Sequence, residues 1–207
     1  MLIRVATFFV NMLFKLHFKG LIDIIKQRYQ KARIDEVKKE LKSVGTSFWI
    51  KDDFIILNAK YMAIGNNFNS LDNLRMEAYD NWGGEHFEPF LSVGHNVSLG
   101  TNVHIGCINK VIIGSNVLMA SNIYISDHSH GAVSNAALRL PPGERPLVSK
   151  GPVIIEDNVW IGEGVCILPG VIIGRNSIIG ANSVVTKSVQ PNSVIGGIPG
   201  KTIRMLC

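Results

Sequence analysis

From Val93 onward the chain repeats every six residues. Each unit opens on an aliphatic residue, often followed by Gly, passes through turn-tolerant residues often ending in Asn, and carries a small or β-branched residue at its fifth position. The first positions are Val93, Leu99, Ile105, Ile113, Met119, Ile125, Ile155, Ile161, Ile167, Ile173, Ile179 and Val185. The fifth positions are Val97, Val103, Val117, Ile123, Val159, Val165, Val171, Ser177, Ser183 and Val189. Six residues rotate an α-helix through about 600 degrees, so this period would smear the aliphatics around a helix. It suits a short strand followed by a tight turn. Three such units close a triangular coil, and stacked coils bury the first-position side chains as ladders. Asn96, Asn102, Asn116, Asn122, Asn158, Asn176 and Asn182 are predicted corner residues, because Asn tolerates left-handed backbone. The glycines after the buried positions are assigned to the same corners for their freedom at positive φ.

Two interruptions break the period. Gly106 and Gly114 stand eight apart instead of six, which predicts a corner bulge around Asn109 and Lys110. Between Ile125 and Ile155 about 24 extra residues, 127–150, are polar and Pro-rich, and the repeat then resumes in phase. A coil that extrudes a long loop and continues is a rigid mount for a functional site. Upstream, Phe14, Phe18, Leu21, Ile22 and Ile25 recur at spacings of three and four, which predicts helix from residue 1 to about 42. Residues 48–90 read as an irregular zone with short β-like runs such as 54–57. The resulting division is a helical segment, 1–47, and a β-solenoid domain, 48–204, with the extruded loop 127–150.

Composition refines this. Apolar residues make up 46% of the chain and charged residues only 18%, which suggests that part of the surface is covered by self-association. Residues 1–42 carry ten Lys/Arg against four Asp/Glu, and the remainder eleven against twelve, so the formal charge of +5 resides in the first segment. That argues against a nucleic-acid-binding body. Phe8, Phe9, Phe14, Leu16 and Phe18 beside Lys15 and Lys19 fit either a peripheral membrane contact through residues 1–25 or a cap on the first coil. Charged and polar residues interrupt this stretch too often for it to span a bilayer, and no signal-peptide cleavage site is evident. Cys107, Cys166 and Cys207 are odd in number and widely spaced, so a reducing, cytoplasmic setting is expected, at most at the inner face of a membrane.

The segment 126–131, Ser-Asp-His-Ser-His-Gly, followed by Glu-Arg-Pro-Leu at 144–147 and by residues 150–162 ending in Val159-Trp160-Ile161-Gly162, resembles the hexapeptide-repeat sugar O-acetyltransferases of bacterial surface polysaccharide synthesis. It is similar, more distantly, to the maltose, galactoside and nodulation-factor acetyltransferases. The match runs over roughly residues 64–204, including Arg75-Met76-Glu77-Ala78 and the closing segment 195–201, where Gly200 stands in place of the usual Ala. The resemblance implies a left-handed parallel β-helix and a homotrimer. It also implies acetyl-CoA as cosubstrate in the groove between neighbouring solenoids, no metal, and a sugar or lipid-linked glycan as acceptor.

Acetyl transfer from a thioester to a hydroxyl needs a base near neutrality and a donor for the tetrahedral oxyanion. His128 matches the family's catalytic His and is the candidate base; His130 is the alternative base or an acceptor ligand. Asp127 could orient an imidazole, but adjacent residues in extended chain point to opposite sides, so loop structuring is equally open. Trp160, Glu144 and Arg145 are candidates for the acceptor or acyl groove, with Lys150 and Arg139 as lesser ones, and the backbone N–H of Gly162 for the oxyanion. Lys187, Lys201 and Arg204 could meet the phosphates of coenzyme A. Three other readings stay open. One is N-acetylation of an amino-sugar nucleotide. Another is a metal-binding solenoid of the γ-carbonic-anhydrase kind using His95, His104, His128 and His130. The third is a non-enzymatic scaffold.

Overall fold

The computed structural model describes the backbone of residues 2–132, 134, 135 and 137–206, and their side chains apart from those of 2–17 and 138. The chain divides into two compact units between Lys39 and Glu40. The first is a single helix, Leu2–Glu40, with Lys38 and Lys39 in its last turn, where positive charge complements the helix dipole. Phe18, Leu21, Ile22, Ile25 and Tyr29 form an exposed apolar stripe along it. The side chains of Phe8, Phe9, Phe14 and Leu16, expected to share that role, lie outside the described residues, as does Cys207.

The second unit is a parallel β-helix of three sheets, left-handed as in the hexapeptide-repeat fold. The first face runs from Ser43–Val44 to Ile172–Ile173 and the second from Phe48–Ile50 to Ser193–Gly196. The third runs from Phe54–Leu57 to Val184–Val185. All twelve first-position residues are at most 3% exposed, and the ten fifth-position residues are buried too. Each buried aliphatic rung stabilises by roughly 1.5–3 kcal/mol. At the last coil, Lys201–Met205 pairs antiparallel with Ser193–Gly196 and covers the open sheet edge.

Every predicted corner Asn is left-handed, with φ between 56° and 59°. Their side chains also hydrogen-bond coil to coil: Asn67 donates to Asn96, Asn96 to Asn116, Asn116 to Asn158, Asn158 to Asn176 and Asn176 to Asn192. The glycines differ from expectation. None of Gly94, Gly100, Gly106, Gly114, Gly162, Gly174 and Gly180 has positive φ. Apart from Gly106, whose nearest neighbour is the His128 ring, they are required by coil-to-coil approach instead, since a Cβ on Gly94 would lie 2.7 Å from Gly114 backbone and one on Gly100 2.6 Å from Ala120 backbone.

Residues 48–90 are regular coils rather than an irregular zone. Their six-residue period is hidden because residues are inserted where the chain passes from the third face to the first. A 3₁₀ turn, Ala59–Tyr61, sits there in one coil, and residues 79–89 in the next, including the hairpin Asn81–Trp82 with Glu85–His86. The two surplus residues, Ile108 and Asn109, and then the loop 127–150 follow at the same corner. All four excursions therefore stack along one edge of the prism.

Candidate active site

The third face ends at Ser126, and the chain leaves it through Asp127 into the strand His128–His130, paired antiparallel with Leu147–Ser149. Asp127 is fully buried. Its Oδ2 accepts the backbone N–H of Asn109 and Lys110, each at 2.8 Å, and its Oδ1 accepts that of Ile108 at 2.9 Å. The two-residue surplus in the coil before is thus what turns three consecutive amides onto one carboxylate. Oδ1 also accepts from Nδ1 of His128 at 2.9 Å. Burial pushes the Asp127 carboxyl up, but the imidazole and the amides of Ile108 and Asn109 outweigh it and hold the group below its ordinary 3.8. A carboxylate can only accept, so Nδ1 carries a proton, and in the neutral ring the lone pair lies on Nε2.

His128 is 11% exposed, and its ring lies over Gly106, where a Cβ would approach Cε1 to 3.1 Å. It opens on a cavity of about 250 Å³ lined by Arg75, Tyr79, Trp82, His104, Tyr124 and Ser126, with Ser129, His130 and Leu147 from the loop. Tyr79 and Trp82 meet edge to face at 5.9 Å; Tyr79 faces His128 at 6.0 Å and Trp82 faces His130 at 5.2 Å. The hairpin carrying Trp82 turns through Gly83 and Gly84, both at positive φ, as a two-residue hairpin turn requires. Asp80 at its base accepts from Tyr61 at 3.0 Å and pairs with Lys60 at 3.1 Å, tying the hairpin to the coil below. Deeper in the wall, the nearly buried Glu77 accepts from Nε of Arg75 at 2.9 Å and lies 3.0 Å from Nε2 of His104. Burial and the Glu77 carboxylate push the Tyr79 phenol up, so it stays protonated at neutrality.

Comparison with known proteins gives this arrangement a context. Residues 152–187 match the family described as bacterial transferase hexapeptide, six repeats. WbbJ of Escherichia coli K12, a protein named for O-acetyl transfer in lipopolysaccharide biosynthesis, is 38% identical over 153 residues, which is 72% of this chain and 74% of WbbJ. The chain belongs to the hexapeptide-repeat acetyltransferases. Among solved structures, a maltose O-acetyltransferase from Clostridium difficile 630 is 29% identical with a TM-score of 0.57, the match covering 86% of this chain and 76% of that one. A variant of AntD, an N-acyltransferase from Bacillus cereus, in complex with dTDP-4-amino-4,6-dideoxyglucose and coenzyme A, shares the fold at 22% identity and a TM-score of 0.59, covering 84% and 89% of the two chains.

Within this acetyltransferase, the residues singled out from sequence separate into two groups. His128, Asp127 and His130 come together at the cavity, and Asp127 touches its neighbour because residue 127 is a corner, where alternation of extended chain does not apply. The others lie apart from it. Trp160 stands on the second face between Leu118 and Ile178, 52% exposed. Glu144 is exposed on the 3₁₀ turn Pro142–Glu144, and Arg145 packs against Gly131 and donates to the carbonyl of Leu140 at 3.0 Å. Gly162 is corrected as an oxyanion donor, because its N–H is already committed to the carbonyl of Ile179 at 2.8 Å in the coil ladder. Lys187, Lys201 and Arg204 are exposed at the C-terminal end, the last two on the antiparallel closing strand. Among the described residues no three His, Cys, Asp or Glu side chains are grouped to hold a metal ion. His95, one of the four imidazoles weighed for that role, accepts the N–H of Asn66 through Nδ1 at a different corner.

Tyr79, Trp82 and Tyr124 were not anticipated, His104 was weighed only as a metal ligand, and Ser126 entered only as part of the motif 126–131. Arg75, His104 and Tyr124 are outward residues stacked in one ladder across three coils, and that register becomes readable only once residues 74–78 are known to be a coil strand.

Proposed function

We propose that this acetyltransferase moves the acetyl group of acetyl-CoA to a hydroxyl of a sugar or glycan intermediate, with His128 as general base and Asp127 as its orienting partner. The supporting observation is the Asp127–His128 pair, which presents an imidazole lone pair on Nε2 to a cavity walled by aromatic and polar side chains. The likeness to WbbJ and to the maltose O-acetyltransferase supports the sugar hydroxyl as acceptor. In this reading Nε2 takes the hydroxyl proton as that oxygen attacks the thioester carbon. The tetrahedral intermediate then collapses with breakage of the C–S bond, and the imidazolium returns its proton to the departing CoA sulfur. Asp127 stabilises the imidazolium without accepting its proton.

The working unit in this reading is a homotrimer. Outward apolar residues on two faces, Ile112 and Ile154 on the first and Leu118 and Trp160 on the second, supply surfaces for neighbouring copies, and the phosphates of coenzyme A meet basic residues of the closing segment, Lys187, Lys201 and Arg204. Among the described residues no helix is long and apolar enough to cross a membrane. The exposed stripe from Phe18 to Tyr29, in a segment with ten basic and four acidic residues, fits contact with an anionic bilayer surface. Co-sedimentation of the full chain with anionic but not zwitterionic vesicles tests that contact.

The deciding experiment offers labelled acetyl-CoA with the host's glycan intermediates and follows which species gains mass. An ester product, released by mild alkali, supports hydroxyl transfer, whereas an alkali-stable amide would establish the amino-sugar reaction instead. His128→Ala should slow the chemical step by roughly two to four orders of magnitude. Near-normal turnover in a folded variant would remove His128 from the role.

A further inference from the structure

The cavity contains a second carboxylate–imidazole pair that the transfer reaction as described does not use. Glu77, 6% exposed, lies 3.0 Å from Nε2 of His104 and also accepts from Arg75. The shared proton therefore sits on Nε2 of His104, and its Nδ1 keeps a lone pair. In His128 the wiring is opposite, with Nδ1 tied to Asp127 and Nε2 left as the acceptor. Both imidazoles line the same cavity, and among the described residues no group hydrogen-bonds to Nδ1 of His104 or Nε2 of His128.

We infer that His104 is an acceptor-positioning residue: Nδ1, held as a hydrogen-bond acceptor by Glu77, accepts a hydrogen bond from a second hydroxyl on the same sugar whose reacting hydroxyl faces His128. The inference rests on the sugar-acetylation reading and narrows its substrate to an uncharged glycosyl unit with at least two free hydroxyls. Two features support the narrowing. Burial and the charge of Arg75 lower the affinity of His104 for a proton, against the opposing pull of Glu77, so the ring is neutral at working pH and offers no cation. Among the described residues Arg75 is the one permanent cation lining the cavity, and Glu77 is its counter-ion at 2.9 Å; Asp127 beneath His128 adds a further negative charge. A carboxylate on the acceptor would thus enter a wall without a free positive partner. Tyr79 and Trp82 add aromatic surface suited to the apolar faces of a sugar ring.

The test uses the positions of the two ring nitrogens. Asn places its amide where Nδ1 of His lies, and Gln where Nε2 lies. With a panel of methyl glycosides and the matching uronides as acceptors, His104→Gln keeps the contact to Glu77 but loses the cavity acceptor. It should raise the glycoside KM about tenfold, the loss of one hydrogen bond in a partly dry cavity, with little change in the KM for acetyl-CoA. His104→Asn should recover most of that loss. Uronides should be poorer acceptors than their glycosides in the wild type. An unchanged glycoside KM in His104→Gln, or equal losses in the Gln and Asn variants, would overturn the positioning role while leaving sugar acetylation intact. Wild type inert toward every glycoside would sink the acetylation reading itself and this inference with it. Nitrogen-15 NMR of the ligand-free protein should show His104 as the Nε2–H tautomer and His128 as the Nδ1–H tautomer; the reverse for His104 would also refute the inference.

Discussion

Asp127→Asn separates the chemistry of the buried carboxylate from its shape. The carboxylate accepts three backbone amides and one imidazole N–H, all within 2.9 Å, with no exposed surface. Asn has one acceptor oxygen. Set in place of Oδ2 it keeps Asn109 and Lys110, so the amide nitrogen must replace Oδ1, where the N–H of Ile108 and Nδ1 of His128 both point. The imidazole can relieve that conflict by moving its proton to Nε2, which makes the ring a donor toward the cavity instead of a base. The amide of Ile108 keeps only its longer contact to the Oδ2 position, at 3.3 Å. A wrong tautomer in an otherwise intact carboxylate–His pair costs roughly four orders of magnitude in kcat. One weakened buried amide contact, with the loss of charge-assisted bonds, costs about 2 kcal/mol, or about 4–8 °C in melting temperature for a chain of this length. The sign with pH follows from the lowered carboxyl. Its stabilisation is fully present above the unfolded value of 3.8 and is lost as pH falls through the lower folded value, so the stability gap between wild type and Asp127→Asn should be constant near neutrality and close below about pH 4. Steady-state kinetics and thermal melts at fixed protein concentration, from pH 3 to 8, measure both. A folded Asp127→Asn protein with near wild-type kcat would refute the tautomer assignment and, with it, the role given to this pair.

Two further substitutions probe how the coils hold the site. Gly106→Ala puts a methyl 3.1 Å from Cε1 of His128, so the ring must shift by a few tenths of an ångström; kcat should fall about tenfold with the melting temperature little changed, and unaltered kinetics would mean that the ring is not seated on Gly106. Asn116, at φ 58°, accepts from Asn96 and donates to Asn158, so Asn116→Ala loses both contacts and keeps a left-handed residue with a Cβ, costing about 2 kcal/mol in denaturant unfolding. Asn116→Gly should lose only the side-chain bonds, and equal losses in the two variants would show that backbone conformation contributes nothing there.

The rungs and corners were legible because burial in a solenoid depends on position within six residues and on nothing distant. Val93 to Val185 could be placed inside, and Asn96 to Asn182 at the turns, from spacing alone. The glycines were placed correctly for the wrong reason, because crowding between Gly94 and Gly114 arises from coils twenty residues apart and leaves no local trace. The role of Asp127 stayed open for the same reason. Alternation along a strand sends neighbouring side chains apart, and only the three amides of the preceding coil, 17–19 residues back, show that residue 127 lies on a corner. The Glu77–His104 contact spans 27 residues and includes a strand whose period was obscured by inserted residues on both sides. Trp82 did leave a local signal, since Gly83-Gly84 between short strand-forming runs marks a hairpin.

These failures share a physical origin. Each coil advances the chain by one strand spacing, so residues inserted at one corner in successive coils must stack, however far apart they are in sequence. Residues 59–61, 79–89, 108–109 and 127–150 each follow a third-face strand and each precede a first-face strand. Three of these four excursions meet around His128: Trp82 from the hairpin, the amides of Ile108 and Asn109, and the loop with His130. The Ile108–Asn109 bulge, which in sequence is only a two-residue flaw in the repeat, is therefore a component of the site because of where in the coil it falls. Assigning each irregularity to a corner before asking what it contains would have joined it to Asp127 without coordinates, since a surplus of backbone amides directly beneath a buried acid has few other partners.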